Sequence, residues 1–281
     1  MPRFGVHISI EGGIQNVPER ARRPRCETIQ MFTRSPRRWA SPELTEEAVE
    51  AFRAGIEGLG IDPVVIHTIY PINLASPDEE LFEGSVELVA EDLRRGARIG
   101  AKYVNTHVGH AVGQTPRKAL GRVVRAVKEV LRSAEGDAVL LLENAALRGD
   151  FHGSRFAELA EIIERVDCDE RMGVCLDTAH AFASGYPVHT EQGLEETVAE
   201  IDETVGLDRL RVVHLNDSKT EFGCHSDRHE HLGLGKLGRE ALRRIVNHDR
   251  LRHLPFIMET PIDDRRGDKG NLIAARRMVA R

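Results

Sequence analysis

Short apolar or β-branched runs recur along the chain, with segments of helical period between them. Eight such runs stand out: Phe4–Ile8, Thr28–Phe32, Pro63–His67, Tyr103–His107, Ala138–Glu143, Met172–Asp177, Leu210–Leu215 and Pro255–Glu259. Most are too apolar to face water on either side, which predicts strands of a parallel sheet covered by helices on the outside. The intervening segments supply those helices. Phe156, Leu159, Ile163 and Val166 keep the spacing of one buried helical face, and Ala119–Leu131 and Leu242–Val246 behave similarly. Ser41-Pro42 reads as an N-cap followed by proline at the first helical position. No repeat, linker or change of composition divides the chain. The pattern therefore predicts an α/β fold in which residues 1–281 form a single (β/α)₈ barrel domain, an architecture of ~250 residues.

Composition narrows the class. Hydrophobic residues make up 41% and charged residues 30%, the balance of an ordered globular protein. The N-terminus lacks the basic, apolar and cleavage regions of a signal peptide, and no apolar stretch is long enough to span a bilayer, so no membrane association is expected. Cys26, Cys168, Cys175 and Cys224 are far apart and form no CxxC pair. That suggests neither a disulfide framework nor a thiolate zinc site, and it suits a reducing cytoplasmic compartment. The formal net charge of -6 argues against a polyanionic partner unless cations are bound. Three divalent ions would balance that charge and would sit where a phosphate could meet them.

The residues that end the strands carry the chemistry. The third run ends in His67, the fourth in His107, the fifth in Glu143, the sixth in Asp177, the seventh near His214 and the eighth in Glu259. In a closed barrel these positions share the C-terminal rim, where active sites of this architecture are built. One histidine or carboxylate at a strand end is ordinary. Six in succession are not, because burying several carboxylates together is too unfavourable unless a cation neutralises them. Asp177-x-x-His180 and Asp227-x-His229 add chelating spacings. The candidate ligands are then His67, His107, His180, His214, His229, Glu143, Asp177, Asp227 and Glu259. Imidazole mixed with carboxylate, without thiolate, suits zinc or manganese. Nine ligands exceed the need of one ion and leave open positions for catalysis.

With those residues in view, the chain resembles the endonuclease IV family of abasic-site endonucleases over nearly its whole length. The matching segments are GVHISIEGG from Gly5, IQMF around Gln30, HTIYPINLASP from His67, EN at Glu143, GVCLDTAHAFASGY from Gly173, HLNDSK from His214, DRHEHLGLG from Asp227 and METP from Met258. The resemblance implies three zinc ions. His67, His107 and Glu143 would hold the first; Glu143 would bridge to a second that also takes Asp177, His214 and Glu259; His180, Asp227 and His229 would hold the third. It further implies a hydroxide nucleophile helped by Glu143 and Glu259, and hydrolysis on the 5′ side of abasic sites in double-stranded DNA. The products would be a 3′-hydroxyl and a 5′-deoxyribose phosphate, with removal of blocked 3′ ends by the same chemistry. A monomer is expected. Base sequence should matter little, because such enzymes bend DNA and flip the lesion out.

DNA contacts implied by the resemblance are Arg37, within Thr33-Arg-Ser-Pro-Arg-Arg-Trp39, and Tyr70. Two departures from the family pattern bear on those contacts. Pro71 stands where a bulky aliphatic residue is usual, and Ala145-Ala-Leu-Arg148 replaces a glycine-containing segment. His7 is expected to support the site, and His231 has no assigned role. Two other functions compete. A sugar isomerase or epimerase would need only Glu143, Asp177, His214 and Glu259 around one ion, and a damage-recognition module would bind DNA without cutting it.

Overall fold

A computed structural model describes residues 1–36, 39–146, 153–167 and 169–280. Eight parallel strands close into a barrel: β1 (Arg3–Ile8), β2 (Thr28–Met31), β3 (Val64–His67), β4 (Tyr103–His107), β5 (Val139–Glu143), β6 (Met172–Asp177), β7 (Leu210–His214) and, after a short antiparallel pair β8 (Asp217–Ser218) and β9 (His229–Glu230), β10 (Pro255–Met258). Every expected strand is present to within a residue or so of each end. Glu259 stands one residue beyond β10.

Around the barrel lie α1 (Val17–Arg22), α2 (Glu46–Leu59), α3 (Glu79–Ile99), α4 (Pro116–Ser133), α5 (Phe156–Arg165), α6 (Thr178–Ala183), α7 (Glu191–Thr204), α8 (Arg239–Asn247) and α9 (Asp268–Arg276). One expectation fails. No helix begins at Ser41-Pro42; α2 begins after Thr45, whose hydroxyl accepts the Ala48 N–H, with Glu46 and Glu47 in the first turn. Two carboxylates at the positive end of a helix, behind a threonine cap, outweigh a proline at N1. The Pro42 carbonyl instead accepts from Arg95 on α3 at 2.9 Å. Among the described residues no helix is long and apolar enough to cross a membrane. Cys26, Cys175 and Cys224 are free thiols, and Cys168 lies outside the described residues.

Strand pleating places the site. Val65, Tyr103, Leu141, Cys175, Val212 and Ile257 form a separate buried cluster, the apolar plug inside the barrel. Because side chains alternate along a strand, the residue two places on returns to the same side. On β3 through β7 and at the end of β10 that next residue is His67, Asn105, Glu143, Asp177, His214 and Glu259. An apolar layer thus carries a polar layer directly above it, at the C-terminal mouth.

Candidate metal centre

Parallel register sets the neighbours within this layer. His107 pairs with Glu143, and His67 with Asn105. Asp177 comes level with His214 through a register shift between β6 and β7 at Val174/Cys175; an unbroken register would have set Asp177 beside Val213. The irregularity re-aims one side chain, which is the usual effect of a bulge at a barrel rim.

Three groups of ligand atoms result, each with its atoms within 4.8 Å of one another: His67, His107 and Glu143; Glu143, Asp177, His214 and Glu259; and Asp177, His180 and His229. Glu143 belongs to two of them. Its Oε2 lies 3.2 Å from His67 Nε2 and 3.7 Å from His107 Nε2, while its Oε1 lies 3.2 Å from His214 Nδ1. Asp227, expected in the third group, stands 3.2 Å from His180 Nε2 and 3.3 Å from His229 Nε2. All nine candidate ligands therefore converge on one mouth.

Asp177 and His180 owe their placement to a helix cap. Asp177 Oδ1 accepts the His180 N–H at 2.8 Å as the N-cap of α6, leaving Oδ2 toward His214 and His229 at 3.8 and 3.6 Å. Asp227 and His229 depend on the β8–β9 pair. Asp217 on β8 accepts backbone N–H groups from Gly233, Gly235 and Gly238 at 2.8 to 3.1 Å, and so ties the HLNDSK segment to the DRHEHLGLG segment.

The hydrogen bonds also decide which imidazole nitrogen is free. His67 Nδ1–H donates to the Thr68 carbonyl at 2.6 Å, His180 Nδ1–H to the Asn144 carbonyl at 2.9 Å and His229 Nδ1–H to the Glu259 carbonyl at 3.1 Å. Each turns its Nε2 toward the group. His214 is reversed: Nε2–H donates to Gln30 Oε1 at 2.8 Å, and Nδ1 faces the carboxylates. Imidazoles oriented through their far nitrogen are the usual supports of metal ligands. Amides do the same for the carboxylates. Asn105 donates to Glu143, and Asn216 donates to Asp177 Oδ2 at 2.7 Å. Sequence inspection misses Gln30, Asn105, Asn144 and Asn216 as functional residues, because a buried amide carries no signal of its own; the two-residue step above the apolar plug could have found Asn105.

Electrostatics favour a cation here. Glu143 and Asp177 are buried, and among the described residues the ion-pair partners of Glu143, Asp177 and Glu259 are all imidazoles. Burial opposes ionisation of Glu143, but His107, His214 and the hydrogen bonds from His180 and His214 outweigh it and hold the carboxyl well below its usual range. Glu259 is depressed in the same way: burial opposes ionisation, and the charge of His214 is the largest influence against it. Burial lowers His180 and His214, yet the surrounding acidic groups push both well above the usual imidazole value. Protons therefore occupy positions that a metal ion of this donor preference would take. The donor set fits zinc.

His7 borders the site: its Nδ1 accepts from Gln30 and lies 3.6 Å from Glu259. His231 is structural, its buried ring held between Asp263 at 2.9 Å and Asn271 at 3.0 Å. Tyr70 is exposed at the rim, 74% accessible, with its ring edge-on to Phe32. Trp39 is partly exposed. Arg34 is not the exposed cation that a basic loop suggests, since its guanidinium is buried against Asp92 and Glu91. Arg37 lies outside the described residues, as does Arg148; Ala145 and Ala146 are buried.

Comparison with known proteins agrees with the geometry. The family of xylose isomerase-like TIM barrels matches residues 19–280. The chain is 44% identical to the probable endonuclease 4 of Methanoculleus marisnigri and 41% identical to that of Methanosphaerula palustris, covering 99% of both partners in each case. The crystal structure of endonuclease IV from Thermus thermophilus superposes with a TM-score of 0.88 at 39% identity, over 99% of this chain and 98% of that one. A xylose isomerase domain protein from Planctomyces limnophilus shares the fold, with a TM-score of 0.69 at 20% identity over 99% of this chain and 95% of that one.

Proposed function

As the chain belongs to the endonuclease IV family, within the xylose isomerase-like TIM barrels, we propose that it is a zinc-dependent DNA-repair nuclease that hydrolyses the phosphodiester on the 5′ side of abasic sites in double-stranded DNA. It leaves a 3′-hydroxyl and a 5′-deoxyribose phosphate, and the same chemistry clears blocked 3′ ends. The observation that carries this is the sharing of Glu143 between two ligand groups, with a third beside them at one mouth. A sugar isomerase needs only the group of Glu143, Asp177, His214 and Glu259 and leaves the rest without a purpose.

His67, His107 and Glu143 would hold one zinc, Glu143, Asp177, His214 and Glu259 a second, and His180, Asp227 and His229 a third. Bound zinc supplies Lewis acidity toward the phosphate and lowers the pKa of water. The chain's own part is to keep that chemistry in a fixed frame. Backbone carbonyls and Gln30 set the imidazole tautomers, Asn105 and Asn216 orient the carboxylates, and the apolar plug closes the barrel beneath. Tyr70, exposed at the rim, would enter the gap that a missing base leaves, and Arg37, by its match to a DNA-contacting segment of the family, would meet the backbone. Residues 1–281 act as one barrel domain, in a monomer, in the cytoplasm.

The test is metal analysis of the purified protein beside incision of a duplex with one abasic analogue. Three zinc ions per chain and a single cut with a 3′-hydroxyl are expected. About one ion per chain without incision would support the isomerase, and tight binding of the duplex without incision would support a recognition module.

A further inference from the structure

We infer that Gln30 is a positioning residue of the metal centre, which fixes the tautomer of His214 and the orientation of Glu259 through one buried amide. The inference rests on the metal-centre reading above. Gln30 is fully buried on β2, level with His7 on β1. Its Oε1 accepts from His214 Nε2–H at 2.8 Å, and its Nε2 donates to Glu259 Oε1 at 2.6 Å and to His7 Nδ1 at 3.1 Å. Both amide hydrogens and the carbonyl are thereby used. Turning the amide over would set its oxygen against the Glu259 carboxylate, so the network admits a single orientation.

Two consequences follow from the atoms involved. With Nε2 committed as a donor, His214 presents Nδ1 as the nitrogen available to a metal, and Nδ1 is the atom 3.2 Å from Glu143 Oε1 and 3.4 Å from Glu259 Oε2. His67, His180 and His229 take their tautomers from backbone carbonyls, whereas His214 takes its own from a side chain. Glu259 stands beyond the end of β10, so the strand ladder does not fix its side chain. The amide holds Oε1 and leaves Oε2 toward His214. A neutral amide does this without adding another negative charge to a mouth already crowded with carboxylates.

The test compares wild-type protein with Q30L and Q30E. Zinc affinity is measured by competition with a chromophoric chelator, the His214 tautomer by nitrogen-15 NMR of the metal-free protein at alkaline pH, and stability by thermal melting. Q30L removes both roles, so zinc binding to the weakest site should fall ~10–100-fold and His214 should become a tautomer mixture. Q30E keeps an acceptor for His214 but faces Glu259 with like charge, so the tautomer should persist while zinc binding weakens. Folded Q30L with wild-type affinity and wild-type nitrogen shifts overturns the inference. If Q30L does not fold, Q30E with wild-type affinity overturns it. Wild-type protein that takes up no zinc overturns the metal-centre reading instead, so the two failures are distinct.

Discussion

The guanidinium of Arg34 lies 2.7 Å from the carboxylate of Asp92, and both side chains are shut off from water. Arg34 also reaches Glu91 at 3.0 Å and the Trp39 carbonyl at 3.3 Å, and Arg95 donates to the Thr33 and Pro42 carbonyls. Both ends of the rim loop after β2 are thus fastened to α3. Removing Asp92 would leave a buried guanidinium without its nearest counter-charge. Asp92→Ala is expected to lower stability by about 3–5 kcal/mol, read from urea denaturation, with Asp92→Asn losing less because it keeps an acceptor. A change below about 1 kcal/mol would mean that Glu91 alone satisfies Arg34.

Glu259→Gln removes a carboxylate charge from the proposed second zinc site while preserving shape. Gln30 and the Asn216-bound backbone would still hold the residue in place. Incision of an abasic duplex should drop by more than ~100-fold, beyond the loss typical of groups one shell further out, while circular dichroism shows the protein still folded. Cutting at the wild-type rate would remove Glu259 from the machinery.

Much of this site is legible in the sequence because strands buried on both faces carry a strong signal and, from the third on, each ends in or beside a residue foreign to an apolar run. Val65 to His67 and Leu141 to Glu143 are readable for that reason. What escapes the sequence comes from three-dimensional placement. The shift that brings Asp177 beside His214 leaves no mark in the sequence, since nothing in Leu210–His214 announces an extra residue. The orienting amides of Asn105 and Gln30 look like any polar residue in a strand. The burial of Arg34 is not legible because its partners, Glu91 and Asp92, lie in α3, a helix of 21 residues that the apolar spacing does not single out. The start of α2 is misread because proline at 42 is a stronger local sign than the threonine cap that in fact begins the helix.

Gly235 is the tightest point of the segment that carries Asp227 and His229. A β-carbon there would come within 2.4 Å of both Asp217 Oδ1 and the Ser218 carbonyl, so the Asp217 hub would have to open. Gly235→Ala is expected to cost one zinc, leaving about two per chain, because the third group depends on β9 while the other two do not. Metal analysis checks this. Retention of three ions would show that the hairpin keeps its place without that hub.

Acid should strip the centre. In the zinc-free protein, Asp177 and Asp227 keep His180 protonated against the opposing effect of burial, and Glu259 and Glu143 help to do the same for His214. Zinc binding must therefore release protons, and affinity must fall as pH falls. The sign for the zinc-free fold follows from the same groups. The raised imidazoles stabilise it below their unfolded-state pKa and lose that contribution as pH rises through the folded values. The depressed Glu143 and Glu259 stabilise it above theirs and lose it as pH falls. Zinc titrations in two buffers of different ionisation enthalpy will count the protons. Release of none at neutral pH would contradict the charge arrangement.

Truncating Tyr70 tests lesion recognition apart from catalysis. Its ring is 74% exposed and rests edge-on against Phe32, at 5.7 Å between centroids, and none of the three ligand groups includes it. Truncation should leave the metal centre and the fold untouched. If the ring stacks in the gap left by the missing base, its loss removes about 1–3 kcal/mol of stacking, which corresponds to roughly 5- to 150-fold weaker binding of an abasic duplex. Undamaged duplex offers no gap, so its binding should change little. Tyr70→Ala is therefore expected to reduce the preference for damaged over intact DNA, measured by fluorescence anisotropy with matched duplexes at fixed salt, while zinc content and melting temperature stay at wild-type values. Equal weakening toward both duplexes would make the tyrosine a general backbone contact and leave recognition of the gap to other parts of the rim.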